Sequence, residues 1–299
     1  MYTYVRLNDE ASSIVETLIP YEERDRLATN VQAVVTSVET RISFIAYQDE
    51  LAVGILQADF TKAENSVYFH TLYVTPEHRQ QHIASALLAK GIEEMKKEKA
   101  SICTFIYTKN DPNAPIVEKL LAEWQGTRPF MKRCYFDYTF DAPWMHLNYR
   151  YPCGYEEFPW KDLKESDRVD IKNKITQGRI PQALSPFRKE DSIESLNSLG
   201  LRFQGEVVGW MITHRMDADT VCYSNLFIEK PLQKRGIAMT LLIHSIRLHL
   251  LSPTKKFALI EIPYLLVDSS WIHLVNKRLV PYTVRTTNLV QAWCQLNYT

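Results

Sequence analysis

The sequence predicts an α/β protein built from two similar domains, and two observations carry this prediction. The first is the length, because 299 residues fit two ordinary domains of roughly 100–200 residues each. The second is an internal repeat: residues 79–92 (RQQHIASALLAKGI) align without gaps with residues 233–246 (QKRGIAMTLLIHSI), at an offset of 154. A repeat of this length predicts two copies of one unit that combines strands and helices.

The repeat extends upstream of the aligned helices. Residues 51–58 match residues 206–213 at an offset of 155, and residues 67–74 match residues 221–228 at an offset of 154. Apolar residues in the aligned helices recur at spacings of three, four and seven, which indicates one buried helix face. We therefore expect an N-terminal domain at 1–141, a linker at 142–152 and a C-terminal domain at 153–299.

The elements of the first copy follow from its apolar periodicity and its turn residues. We expect a first strand at 3–7 and then helical segments through about residue 38. After them we expect strands at 41–48, 51–60, 66–74, 101–108 and 131–140, with helices at 83–98 and 114–124.

The second copy repeats this order after its start at residues 154–160. We expect a helix at 162–177, an irregular proline-containing stretch at 178–192, and helices at 236–250 and 270–279. The expected strands are 200–204, 207–215, 220–228, 256–262 and two short ones after Pro281.

Composition and charge exclude several classes of protein. The 35 basic residues are balanced by 35 acidic ones, which argues against nucleic acid as a partner because phosphate binding needs clustered positive charge. No apolar run approaches the roughly 18 residues of a membrane span, and no signal peptide opens the chain. The 5 cysteines form no C-x-x-C pair, so neither a disulfide framework nor a metal site is expected. We expect a cytoplasmic protein without a membrane partner.

The junction between strand and helix in the second copy carries the clearest chemistry. Residues 226–238 (LFIEKPLQKRGIA) place a glycine, Gly236, directly before an amphipathic helix. Glycine lets the backbone approach a ligand, and the helix start presents unpaired N–H groups. These features favour a bound pyrophosphate, and Lys230, Lys234 and Arg235 add positive charge nearby.

The run at 233–238 (QKRGIA) resembles the Q/R-x-x-G-x-G/A loop of the GNAT superfamily of N-acetyltransferases, and the order of elements is similar in both halves. The resemblance implies two tandem GNAT-fold domains, each a mixed, mostly antiparallel twisted sheet flanked by helices. It implies a tandem acyltransferase whose co-substrate is acetyl-CoA or another acyl-CoA, with no metal. The implied partner is an amine of a small molecule or peptide, and the chain would be a monomer or homodimer.

Carried over by position, the resemblance implies two sets of residues that bind acyl-CoA. The second copy offers Leu226, Phe227, Ile228, Gln233, Lys234, Arg235, Gly236, Ile237, Ala238, Met239 and Thr240. The first copy offers Leu72, Tyr73, Val74, Arg79, Gln80, Gln81, His82, Ile83, Ala84 and Ser85. His82 departs from the family's pattern because it replaces the glycine, and a side chain there crowds the phosphates and tolerates a positive φ poorly. We therefore expect the second copy to hold the donor.

Neither copy carries the pair of catalytic residues that the resemblance implies. The usual glutamate base is replaced by Tyr68 and Cys222, and the usual tyrosine acid aligns with Leu120 and Val275. The candidates that replace them are Tyr264 and Glu261 in the second copy and His70 in the first. His214, His273, Tyr282 and Cys222 are weaker candidates, each with a structural explanation such as a packed core or a surface position.

Two other functions stay open on the sequence. The missing base and acid favour a non-catalytic acyl-CoA sensor or interaction protein. Alternatively, the chain is an acyltransferase that uses a longer acyl-CoA or an acyl carrier protein. In the second copy, Arg179, Phe187, Arg188 and Lys189 lie where the family binds its acceptor, although a charged run of this kind is commonly a solvated turn.

Overall fold

The computed structural model describes residues 2–8, 12–20, 40–61, 65–233, 235–265 and 269–296. The chain divides into two compact units, Met1–Met131 with Thr287–Thr299, and Lys132–Thr286. Residues 287–299, which follow the second unit along the chain, therefore belong to the first. That residues 142–152 form a linker between the two domains remains a prediction.

The first unit is a sheet with helices, and its described strands lie in the order β1-β2-β3-β4-β5-β12. These strands are β1 (Tyr2–Asn8), β2 (Thr40–Gln48), β3 (Leu51–Thr61), β4 (Ser66–Val74), β5 (Ile102–Thr108) and β12 (Arg285–Gln295). Neighbouring strands are antiparallel except β4 and β5, which are parallel. The helices are α1 (Ser12–Leu18), α2 (Ile83–Lys97) and α3 (Ala114–Leu120).

The second unit repeats this plan, with the strand order β6-β11-β10-β9-β8-β7. Its strands are β6 (Gly126–Phe136), which crosses the unit boundary, β7 (Tyr155–Pro159), β8 (Leu199–Phe203), β9 (Glu206–Arg215), β10 (Thr220–Ile228) and β11 (Phe257–Pro263). β10 and β11 are parallel, whereas β7 to β10 pair antiparallel. The helices are α4 (Glu165–Thr176), α5 (Ile237–Leu250) and α6 (Ser269–Arg278).

The repeated helices supply equivalent parts of the two cores. Ile83 and Leu87 of α2 are buried in the first unit, and Ile237 and Leu241 of α5 are buried in the second. Each helix packs its apolar face on its own sheet, which is what the spacing of three, four and seven residues predicts. This packing fixes the start of each helix beside the end of the preceding strand.

The end of the chain differs from the sequence expectation. The prediction of two short strands after Pro281 is wrong, because residues 285–295 form the single strand β12. Leu289–Gln295 pair continuously with β5 of the first unit, and this distant partner holds the polar residues of the segment extended. The expected strand at 131–140 begins earlier, at Gly126, and ends at Phe136. Of the helical segments expected through about residue 38, residues 21–39 lie outside the described residues.

Candidate active site

The two parallel strands of the second unit separate halfway along β10. β10 pairs with β11 only from Thr220 to Tyr223. On its other side, the register with β9 shifts between Tyr223 and Asn225, so that Ser224 occupies a β-bulge. A bulge bends the strand and re-aims its side chains. The C-terminal half of β10 therefore borders a cleft instead of a β11 ladder.

The cleft is a cavity of about 750 Å³, a size that suits a cofactor-sized ligand. β10 supplies one wall, α5 and α6 supply a second, and the segment around residues 179–184 supplies a third. Its lining includes Arg179, Ile180, Leu184, Tyr223, Ser224, Leu226, Ile228, Met239, Leu242, Glu261, Trp271 and Leu274.

The loop between β10 and α5 closes one end of this cavity. Gln233 Nε2 donates to the carbonyl oxygen of Ile228 at 2.7 Å, which ties the loop to the end of β10. Gly236 has φ +76°, and a Cβ at this position would meet nothing within 4 Å. The Thr240 N–H donates to the Gly236 carbonyl oxygen, so the N–H groups of the first three helical residues have no partner within the helix.

The loop of the first unit follows the same course although it lacks the glycine. Arg79 Nε donates to the carbonyl oxygen of Val74 at 3.0 Å, the counterpart of the bond from Gln233. His82 adopts φ 60° and ψ 11°, in the same left-handed region as Gly236. The histidine therefore keeps the left-handed turn that Gly236 makes in the second unit and adds an exposed side chain there.

The structure brings most of the proposed donor-binding residues of the second copy together. Seven of them line the cavity: Leu226, Phe227, Ile228, Gln233, Gly236, Ala238 and Met239. Ile237 and Thr240 are buried at the start of α5, and Arg235 is exposed on the loop. Lys234 lies outside the described residues. Their role in binding a donor remains a prediction.

The corresponding residues of the first copy surround the end of β4 and the start of α2. The Arg79 guanidinium lies 5.8 Å from the centre of the Tyr73 ring, and the Tyr2 hydroxyl donates to Gln81 Oε1 at 2.5 Å. Gln80 has φ 63°. Leu72 and Val74 end β4, whereas Ile83, Ala84 and Ser85 begin α2, with Ile83 buried and Ser85 exposed.

The two catalytic candidates of the second copy lie in different surroundings. Glu261 lines the cavity, and its Oε1 accepts a hydrogen bond from Arg133 Nε at 2.8 Å. Arg133 is buried, with 2% of its side chain exposed, so this carboxylate compensates a buried charge. Tyr264 lies in the turn after β11 and is not among the described residues that line the cavity. Burial raises the pKa of Tyr264.

His70, the catalytic candidate of the first copy, is buried beside a carboxylate. Its Nε2 lies 3.5 Å from Asp59 Oδ1, and its Nδ1 lies 3.0 Å from Thr71 Oγ1. Asp59 also accepts a hydrogen bond from Arg41 Nε at 2.9 Å. Burial by itself raises the pKa of Asp59, but the hydrogen bonds and charges of His70 and Arg41 outweigh it, so the pKa lies below its usual value.

Sequence reasoning missed one pair of residues in the second unit. Ser224, which it did not single out, has its Oγ 2.6 Å from Nδ1 of His214 on β9. The signal was present only in part, because the sequence shows both residues but not the bulge that brings them together. Cys222, one of the weaker catalytic candidates, is buried on the same strand, and burial raises its pKa well above the usual value. Its thiol therefore stays protonated and a poor nucleophile.

Comparison with protein families gives one match, in the first copy. The sequence model of the acetyltransferase (GNAT) family matches residues 8–120, which lie in the first copy. No curated protein sequence matches the chain. Among the described residues, no three His, Cys, Asp or Glu side chains are grouped to hold a metal ion, and no helix has the length and apolar character needed to cross a membrane.

Solved structures are similar to the chain over its whole length. A tandem GNAT protein from the clavulanic acid biosynthesis pathway has a TM-score of 0.69 at 11% identity, with 100% of both chains covered. A GCN5-related N-acetyltransferase from Sphaerobacter thermophilus has a TM-score of 0.59 at 13% identity, covering 99% of this chain and 97% of that one. A glucosamine N-acetyltransferase region of a fungal multi-domain β-N-acetylglucosaminidase has a TM-score of 0.64 at 11% identity, covering 97% of this chain and 38% of that one. The predicted fold class, two tandem domains with mixed, mostly antiparallel sheets, is confirmed.

Proposed function

Residues 8–120 match the acetyltransferase (GNAT) family, and on this premise we propose that the chain transfers an acetyl group from acetyl-CoA to an amine of a small molecule or peptide. The proposed donor site is the cavity of the second unit. The observation that carries this assignment is the separation of β10 and β11 over a cavity that ends at the Gly236 loop.

The loop suits the pyrophosphate of the donor. Its left-handed glycine leaves the approach to the backbone open, and the first N–H groups of α5 have no partner within the helix. A helix start of this kind favours a phosphate through both its N–H groups and its dipole. The pantetheine arm would then lie along Leu226 and Ile228, whose strand has no β11 partner at that level.

The transfer itself is acyl substitution at the thioester. The amine nitrogen loses a proton to Glu261 and attacks the carbonyl carbon, the bond from carbon to sulfur breaks, and the thiolate leaves with a proton from Tyr264. Tyr264, in the turn after β11, is the proposed proton donor because its phenol is protonated at neutral pH. Glu261, which lines the cavity and is held in place by a hydrogen bond from Arg133, is the proposed proton acceptor.

Two observations favour a second function, that of an acyl-CoA sensor. The residue at the family's base position is Cys222, whose thiol stays protonated, and Tyr264 does not line the cavity. The two functions differ in turnover. An enzyme releases free thiol from acetyl-CoA in the presence of an amine from a broad panel, whereas a sensor binds acetyl-CoA and releases none. A longer acyl-CoA or an acyl carrier protein as donor would appear in the same assay as a preference over acetyl-CoA.

Titration calorimetry with acetyl-CoA tests the donor site. We expect wild-type protein to bind one acetyl-CoA tightly enough to measure, and Gly236→Trp to weaken binding at least tenfold, because the indole would fill the space above the loop. The matched control is His82→Trp, at the equivalent position of the first unit, which should bind like the wild type. Absence of heat from the wild type, or equal losses in both variants, would refute the assignment to the second unit.

A further inference from the structure

Ser224 and His214 are arranged as a hydroxyl nucleophile and its base. Ser224 Oγ lies 2.6 Å from His214 Nδ1, and His214 Nε2 lies 2.9 Å from the carbonyl oxygen of Arg188. An activated nucleophile is recognised by these two contacts, one between nucleophile and base and one between the base and a group that orients it.

The second contact fixes the tautomer of the imidazole. A carbonyl oxygen only accepts, so His214 Nε2 must carry the hydrogen, and Nδ1 of the neutral ring is then an acceptor. The Ser224 hydroxyl therefore donates to Nδ1. The other acceptor within reach of the Ser224 hydroxyl, the carbonyl oxygen of Ile212, lies farther from Ser224 Oγ, at 3.3 Å.

The surroundings favour the neutral imidazole, the form in which Nδ1 can accept a hydrogen bond or a proton. Burial is the largest cause that lowers the pKa of His214, and the positive charges of Lys189 and Arg188 lower it further. The hydrogen bond to Arg188 and the negative charge of Glu261 act in the opposite direction without reversing the shift.

The pair lies where a thioester would react. Ser224 is the bulge residue at the point where β10 leaves β11, and it lines the proposed donor cavity. In the first unit, the equivalent positions hold Asp59 and His70, at offsets of 155 and 154. At these positions that unit has a carboxylate and a histidine. The hydroxyl that contacts the histidine there, Thr71 Oγ1, belongs to the next residue, so a hydroxyl at the bulge position itself is a feature of the second unit.

We propose that, in place of direct attack by the amine with Tyr264 and Glu261, Ser224 accepts the acyl group from the thioester and passes it to the amine, with His214 as the base of both steps. Ser224 Oγ forms a bond to the carbonyl carbon while its proton moves to His214 Nδ1. The bond from carbon to sulfur breaks, and the thiolate takes that proton to give free CoA and an acetyl ester on Ser224. The amine then attacks the ester, and its proton returns through Nδ1 to Ser224 Oγ. This inference rests on the proposed donor site in the second unit.

Acetyl-CoA alone, without any amine, tests the inference in the full-length protein. After rapid acid quenching, we expect the intact mass to increase by one acetyl group, with about one equivalent of free CoA released per chain. Peptide mapping should place the acetyl group on Ser224. If water slowly opens the ester, thiol release continues at a steady rate that requires Ser224.

Variants separate the two roles. Ser224→Ala should abolish the adduct, and His214→Gln should slow its formation by about 100-fold or more, the contribution of a general base. Ser192→Ala is the matched control: its Oγ donates to the Lys189 carbonyl oxygen in the neighbouring segment, and its loss should leave the adduct unchanged. Calorimetry with acetyl-CoA should show similar affinities for all three variants.

The outcomes distinguish this inference from the proposed function. Binding of acetyl-CoA by wild-type protein without acetylation of Ser224 would overturn the acyl-serine step and leave the donor site intact. Acetylation at another residue, or an adduct that persists in Ser224→Ala, would also overturn it. Absence of acetyl-CoA binding would refute the donor site and this step together. The wild-type mapping needs no variant, so a folding defect in a variant does not affect it.

Discussion

His82 and Gly236 adopt the same left-handed conformation at equivalent turns, but only one of them is suited to it. A side chain with a Cβ is strained in this region by about 1 kcal/mol, whereas glycine is not. Both positions are exposed, so neither residue gains packing that would offset the difference. The structure therefore accepts local strain at His82 to keep the course of the loop.

Reciprocal substitutions measure this strain. His82→Gly should stabilise the first unit by about 0.5–1 kcal/mol, and Gly236→His should destabilise the second unit by a similar amount, because each exchange changes only the strain of one turn. Denaturant unfolding, monitored separately for the two units by hydrogen exchange, gives both values. A destabilising effect of His82→Gly would show that the imidazole makes a stabilising interaction at this turn.

In each unit, a glycine allows the strand before the loop to lie close to its antiparallel neighbour. A Cβ at Gly209 on β9 would lie 2.5 Å from Ile228 Cδ1 and 2.7 Å from the Phe227 carbonyl oxygen. At Gly54, its counterpart on β3, the nearest atoms would be 3.2 Å away. The second unit therefore holds its strands closer together beside the proposed donor cavity than the first unit does.

Alanine at these two positions should have unequal effects. Gly209→Ala must displace the backbone of β10, so we expect it to cost about 1–3 kcal/mol and to weaken acetyl-CoA binding. Gly54→Ala needs shifts of only a few tenths of an ångström and should cost less, with donor binding unchanged. Thermal unfolding and calorimetry of the two variants test this ranking. Equal losses of stability in the two variants would mean that displacing β10 costs no more than the small shifts around Gly54.

At the scale of elements, local patterns predicted most of the fold. The apolar spacing that defines α5 and the apolar run of β10 depend on residues close in sequence, so the expected bounds of both elements agree with the structure within about one residue. The pair of Ser224 and His214 escaped prediction because a bulge shifts the register by one position. No pattern in a single strand reveals that shift, since it depends on how two strands are paired.

At the scale of the whole molecule, the repeat predicted two units, but it did not show where the last strand belongs. β12 pairs with β5 over seven register positions, although more than 170 residues separate the two strands along the chain. Ala292 of β12 and Leu296, the residue after the strand, lie in the core cluster of the first unit, and Leu289 of β12 is buried there as well. Long-range pairing of this kind leaves no local signal, because the strand and its partner are far apart in sequence.

Removing β12 should consequently damage the first unit and spare the second. In a chain that ends at Thr286, β5 loses the partner that pairs with Ile102–Thr108, and the core loses the side chains of Leu289 and Ala292. We expect limited proteolysis to cleave residues 40–131 much faster than in the intact chain, while 132–286 stays resistant. Ala292→Asp, which places a charge in the same core, should act in the same direction in a full-length chain. Because Gly236 and its cavity belong to the second unit, both variants should still bind acetyl-CoA. Unchanged resistance of residues 40–131 would show that the first unit folds without the strand that ends the described chain.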